Sequence, residues 1–256
     1  MPLSFCPLFS GSSGNAIYIG AGDTRVLIDA GLPGKRVGDA LHEIGVLPET
    51  LSGIVVTHEH SDHIAGVGVL ARKYRLPVYA NERTWNAMAQ KLGEIAPWQR
   101  RVFEGEEDFY IGEIAFRPFS VPHDAADPVG YRAYCGGRSV AVATDMGYMK
   151  KSVLKALAGA EIVLLESNHD PDMLLRNPRY SVALKKRILG NHGHLSNDAC
   201  AHALTDLMDT GVRRVVLGHL SGENNTPELA LNTSLDYLVS QGVSIDGDLA
   251  VDLSWR

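Results

Sequence analysis

Thr57-His58-Glu59-His60-Ser61-Asp62-His63 constrains this chain more than any other stretch. Within it, His58, His60, Asp62 and His63 place four metal-ligand side chains in six residues. Three imidazoles and a carboxylate so crowded repel when charged and leave polar atoms unpaired when buried, unless a cation satisfies them. The preceding Gly53-Ile54-Val55-Val56-Thr57 is apolar and β-branched and predicts a buried strand. Ile64 to Tyr74 carries apolar residues at helical spacing. The ligands therefore fall on a strand-to-helix turn. Strand alternation puts His58 and His60 on one side, and the turn brings Asp62 and His63 from another direction. Two ligand pairs then address two neighbouring cation positions. Imidazole together with carboxylate suits Zn, Mn or Fe.

Other predicted strands also end in ligand types. Asp29 closes Arg25-Val26-Leu27-Ile28, His123 follows a strand over 114–121, Asp145 follows 139–144, and His219 follows 215–218. Glu161 to Glu166 is an apolar strand with acids at its ends. Strands over 3–9 and 16–20 flank Ser10-Gly11-Ser12-Ser13-Gly14-Asn15, a turn whose backbone and Ser12, Ser13 and Asn15 side chains suit a phosphate. Hairpins are predicted at 109–111 with 114–121 and at 131–135 with 139–144. Helices are predicted over 34–45, 82–92 and 196–210, and a last one from Pro227 behind the N-cap Thr226. Residues 243–253 read as final strands. No linker, low-complexity run or repeat interrupts the pattern, so residues 1–256 are expected to form one domain. Strands and helices alternate in both halves, which favours sheets covered by helices.

The 256 residues are 45% hydrophobic and 21% charged, as in an ordinary globular enzyme. No apolar run reaches membrane-span length, and Met1 to Cys6 lacks the basic and apolar regions of a secretory signal. Cys6, Cys135 and Cys200 are odd in number and unpatterned, which predicts free thiols and a reduced, cytoplasmic setting. The net charge of −6 offers no broad basic footprint. A nucleic-acid partner must meet a local patch, for which Lys185, Lys186 and Arg187 are the candidates.

The His-x-His-x-Asp-His stretch, with His123, Asp145 and His219 at later strand ends, resembles the signature of the metallo-β-lactamase-fold hydrolases. The resemblance implies an α/β, four-layer αββα sandwich. It implies two divalent cations, one held by His58, His60 and His123 and one by Asp62, His63 and His219, with Asp145 between them and Asp29 supporting the ligand loop. A water shared by two such cations ionises at neutral pH and attacks an acyl carbon or phosphorus.

Further motifs narrow the reading. Only 73 residues separate Asp145 from His219, too few for an inserted nuclease cap domain. That interval holds Glu166-Ser167-Asn168-His169-Asp170, Leu184-Lys185-Lys186-Arg187-Ile188 and Gly193-His194-Leu195-Ser196-Asn197. With Gly11-Ser12-Ser13-Gly14-Asn15, these resemble the YycJ/VicX (WalJ-like) branch. That branch implies a 5′-to-3′ DNA exonuclease and an association with a cell-wall two-component regulator. Asp62 and His194 are then expected in the chemistry, His194 as the acid that protonates the leaving oxygen. Asn168, His169, Ser196 and Asn197 join the turn and the basic run as expected substrate contacts. Two other classes stay open: a small-molecule thioester or lactone hydrolase, and a non-catalytic partner of the two-component system. The sequence fixes neither the metal nor the oligomeric state.

Overall fold

The structure, a computed structural model, describes residues 2–254. Two mixed sheets carry it. The first has the order β1 (Leu3–Gly11), β2 (Gly14–Ala21), β3 (Thr24–Ile28), β4 (Gly53–Val55), β5 (Val78–Asn81) and β6 (Arg100–Phe103). The second starts from β7 (Phe109–Ile111), β8 (Ile114–Ser120), β9 (Val129–Cys135) and β10 (Arg138–Ala143). It continues through β11 (Ile162–Glu166), β12 (Arg214–Gly218) and β13 (Ala250–Leu253). Each sheet begins antiparallel and turns parallel, at β3–β4 and at β10–β11.

Strand alternation builds the layers. In β2 and β3, Ile17, Ile19, Val26 and Ile28 enter the core between the sheets, where Phe116, Tyr131 and Val142 meet them. The intervening Tyr18 and Leu27 face outward. There they join Leu41 of α1 (Gly34–Glu43), Leu70 of α3 (Val67–Tyr74) and Met88 of α4 (Glu82–Leu92). In the second sheet Val163, Leu165, Val215 and Leu217 face α5 (Lys151–Leu157), α8 (Asn197–Asp209) and α9 (Pro227–Ser240). The result is helix, sheet, sheet, helix: the expected αββα sandwich.

Three local expectations fail for tertiary reasons. The helix predicted over Ile64 to Tyr74 is interrupted at its start: Ile64 closes a separate turn, α2 (Ser61–Ile64), and α3 begins only at Val67, after Ala65-Gly66. Gly66 leaves the helical line to donate to the Ala30 carbonyl at 2.8 Å, and a Cβ there would lie 2.3 Å from the Leu32 carbonyl oxygen. β4 ends at Val55, so His58 and His60 stand in a loop rather than on a strand. In 243–253 only β13 forms, because Asp248 takes the Ser244 amide and folds that segment into a turn. Between β11 and α8 lie two short helices that sequence periodicity had not resolved, α6 (Pro171–Arg176) and α7 (Val182–Ile188). α7 has no buried residue, so no core stripe marked it.

Candidate metal centre

The predicted ligands converge on one rim of the sandwich. His58, His60, Asp62 and His63 come from the loop after β4 and from α2, so the first sheet supplies four. His123, Asp145 and His219 follow β8, β10 and β12 of the second. Asp29, Asp145 and His219 all take left-handed backbone, with φ of 62°, 58° and 55°. Asp and His tolerate that region better than most residues. Each still costs on the order of 1 kcal/mol, which the surrounding bonds must offset.

Those bonds aim the rings. The Asp29 carboxylate accepts from Thr57 N and Oγ1, both at 2.8 Å, and meets His63 Nδ1 at 2.8 Å. His63 Nε2 is thereby turned toward Asp145 Oδ2, 3.2 Å away. His123 Nδ1 donates to the Gly193 carbonyl at 3.1 Å, leaving Nε2 inward, 3.2 Å from His60 Nδ1. Fixing one ring nitrogen this way sets the tautomer of the other. Gly31 closes the loop from beneath: its backbone packs so tightly that a Cβ would lie 1.6 Å from the Asp62 carbonyl oxygen.

Two triads result. Ligand atoms of His58, His60 and His123 lie within 4.8 Å of one another, and so do those of Asp62, His63 and His219. Asp145 faces both, with Oδ1 3.6 Å from His123 Nε2 and 3.4 Å from His219 Nε2. His58 Nε2 and both ring nitrogens of His219 are buried without a hydrogen-bond partner among the described residues. Leaving each unsatisfied costs about 1–3 kcal/mol. A divalent cation satisfies such nitrogens, so the donor set fits metal.

The charges agree. Burial pulls the His58 imidazolium well below the usual histidine range, so the ring is neutral and able to ligate. Burial opposes ionisation of Asp145, but His219 and His63 outweigh it and hold the carboxyl well below the carboxylate range.

Beside the triads stands a pair that the sequence reading did not assemble. Glu166, the last residue of β11 and fully buried, meets His194 Nδ1 at 2.8 Å. The same carboxylate accepts from Met146 N at 2.8 Å and Leu195 N at 3.2 Å. Burial lowers the His194 imidazolium, yet the Glu166 charge and hydrogen bond prevail and push it up to about 9. His194 Nδ1 lies 3.7 Å from Asp145 Oδ1. The available signal was an acid closing an apolar strand, as at Asp29.

A pocket of about 460 Å³ opens over this centre. Ser12, Asn168 and Arg187 of the expected substrate contacts line it, together with His60, Asp62, Asp145, His194 and His219. Others stand elsewhere. Asn15 is buried against His63, with Nδ2 3.1 Å from Nε2. Asn197 bonds Ser167 and Asn225, and Ser196 caps α8 by accepting from Ala199 N. His169 is buried, its Nδ1 3.3 Å from Asn168 Oδ1. Ser13 is exposed outside the pocket lining. Of the basic run, Arg187 pairs with Asp124, Lys185 Nζ donates to the Leu175 carbonyl at 2.6 Å, and Lys186 is exposed. Lys91, Asp124, Tyr180, Ser221 and Asn224 line the pocket without having been singled out.

The family model described as a beta-lactamase superfamily domain matches residues 24–220. The chain belongs to the beta-lactamase superfamily. Within that superfamily it is 42% identical to exodeoxyribonuclease YycJ of Bacillus anthracis, over 96% of this chain and 92% of the relative. It is also 42% identical to exodeoxyribonuclease WalJ of Streptococcus pneumoniae, over 95% and 91%. Among solved structures, the metallo-beta-lactamase fold protein YhfI from Bacillus subtilis superposes with a TM-score of 0.73 at 15% identity, covering all of both chains. The superfamily and the His/Asp clusters make this a divalent-metal protein. Among the described residues no helix is long and apolar enough to cross a membrane.

Proposed function

We propose that this protein is a metal-dependent DNA exonuclease working from a 5′ end, in the cytoplasm. The observation that carries the reading is the Glu166–His194 pair, whose imidazole lines the pocket beside both triads while the carboxylate is buried behind it. Likeness over nearly the whole chain to two exodeoxyribonucleases supports the substrate. His58, His60 and His123 would hold one cation and Asp62, His63 and His219 a second, with Asp145 serving both; zinc, manganese and iron all suit these donors. When bound, the cations supply Lewis acidity for activating water and for neutralising phosphate charge.

The chain's own groups do the rest. Glu166 accepts from Nδ1 of His194 and so leaves Nε2 for a substrate oxygen. His194 then donates its proton to the departing sugar oxygen, as a positioned general acid. Ser12 and Asn168 offer neutral polar atoms at the pocket wall. Residues 171–194 carry five basic residues against one acid, but Arg176, Arg179 and Arg187 pair with Asp172, Glu223 and Asp124, which leaves Lys185 and Lys186 as the charges open to a polyanion. Leu184 and Ile188 are the aliphatic side chains of the lining.

Cleavage of 5′- and 3′-labelled single- and double-stranded DNA in zinc or manganese, beside thioester and lactone panels, tests the proposal. Release of mononucleotides from the 5′ end is expected. Inert DNA with rapid thioester or lactone hydrolysis would replace this reading with the small-molecule one.

A further inference from the structure

The pocket has two ends of different chemistry. Beside the His58–His60–His123 triad stand its cations. Lys91, in the last turn of α4, reaches across to donate Nζ to the Glu59 carbonyl at 3.0 Å, between two of those ligands. Arg187 of α7 pairs with Asp124, the residue after His123. Beside His219 stand His194, stacked on its ring at 5.3 Å, and the Asp62 and Asp145 carboxylates; beyond them the lining is of neutral polar residues. Asn168 Nδ2 donates to the His219 carbonyl at 2.9 Å and to Ser12 Oγ at 3.2 Å. Ser221 N donates to the Asn168 carbonyl at 2.8 Å, and Ser221 Oγ accepts from Asn224 N at 3.2 Å. Tyr180 belongs to this end: its neighbour Arg179 pairs with Glu223, and Asn177 Nδ2 donates to Asn224 Oδ1 at 2.7 Å.

We infer that Lys91 is a phosphate-binding residue for the continuing strand, so that DNA leaves the pocket over the His58–His60–His123 end while its terminal nucleoside occupies the neutral end. This rests on the exonuclease reading above. Every nucleotide beyond the reacting one adds a phosphate, and phosphates gather where charge is available. Arg187 already has a carboxylate partner; the Lys91 ammonium bonds a neutral carbonyl. A terminal nucleoside needs hydrogen-bonding groups for its sugar and base, and an aromatic face for stacking. The His219 end supplies Ser12, Asn168, Ser221 and Tyr180. The exit is thereby directional.

Lys91 also sits where a cation complements a helix C-terminus, so the test must separate charge at the pocket from support of the fold. Single-stranded oligonucleotides of increasing length, from a dinucleotide upward, are the probe. For the metal-loaded wild type, KM should fall once the strand is long enough to bring a phosphate to Lys91. In Lys91→Ala that gain disappears. KM on the longest strand should rise about fivefold, the worth of one exposed charge contact. The slope of log binding constant against log salt should shrink by about 0.7, one phosphate's share on a single strand. Lys91→Gln keeps an N–H for the Glu59 carbonyl without the charge and should behave like alanine, while Lys91→Arg should restore both readouts. Tyr180→Ala, at the other end, should raise KM at every length. A glutamine variant with wild-type length dependence and salt slope would overturn the inference and leave Lys91 a structural residue. Wild type that cleaves DNA with no length dependence overturns it while the exonuclease reading stands; wild type that cleaves no DNA overturns both.

Discussion

The Glu166 carboxylate and the His194 imidazole meet at 2.8 Å, Oε1 to Nδ1, although they come from the end of a strand and the loop before a helix. Two backbone amides hold the carboxylate in place, from Met146 beside Asp145 and from Leu195 beside His194. One buried acid thus fixes both the loop bearing Asp145 and the ring of the proposed proton donor.

Replacing His194 with alanine should cut turnover by roughly a hundredfold to ten-thousandfold, the usual worth of a positioned acid, with the metal content kept. Glu166→Gln should lose less turnover than His194→Ala, because its amide oxygen can still accept from both backbone donors while its NH2 no longer accepts from His194 Nδ1 or carries the charge that holds the imidazolium. The measurement is kcat with elemental analysis and thermal unfolding on the same preparations. Unchanged cleavage in His194→Ala would remove His194 from the chemistry.

Asp145→Asn should deplete metal from both triads, since Asp145 Oδ1 faces His123 and His219 and Oδ2 faces His63. His58→Ala should deplete the first triad more than the second. Metal stoichiometry and activity should fall together in each. A full complement in both variants would refute the ligand assignment.

His169 should make the protein acid-sensitive independently of the metal ligands. Burial lowers its imidazolium to about 4, and its Nε2 has no hydrogen-bond partner among the described residues. The unfolded chain, with a normal histidine near pKa 6.5, binds the proton more readily between those values. Stability from this group is therefore present above about pH 6.5 and lost as pH falls toward 4, with the unfolded state binding more protons throughout. The loss in melting temperature between pH 7 and 5 should be smaller in His169→Gln than in wild type. Equal losses would show that His169 contributes nothing to it.

All three cysteines are free, as their number and spacing predicted. Burial pushes the Cys200 thiol up to about 12, so it should stay unlabelled in the native state. Thiol titration should find three groups after denaturation without reductant. Cys6, only half-buried, should react first of the three.

The convergence of the proposed ligands was legible because their information is local. His-x-His-x-Asp-His carries its own argument, and His123, Asp145 and His219 each close an apolar strand. Glu166 was visible only as an acid at a strand end, because its task depends on β11 delivering it beside the loop that precedes α8. Asn15 and Asn197 looked like substrate contacts since polar residues in Gly- and Ser-rich turns read alike; burial against His63 and Asn225 decides otherwise. β6 escaped because Arg100-Arg101-Val102-Phe103 is an edge strand with three exposed residues and one buried. Lys91 gave no local sign, for its place beside Glu59 is made by the packing of α4.

The division of the ligands between the two sheets has a consequence for biogenesis. As the chain leaves the ribosome, the first six strands emerge with four ligands and no complete triad. His123 must arrive to finish one and His219 to finish the other, and neither can do so before the two halves have docked. Until then the imidazoles and Asp62 stay hydrated, which keeps the early half from closing prematurely around unpaired polar atoms. On the proposed ligand assignment, metal capture would then be a late event, open only to chains whose halves have docked. A cell short of the cation should accumulate a protein that is made and docked yet readily opened again.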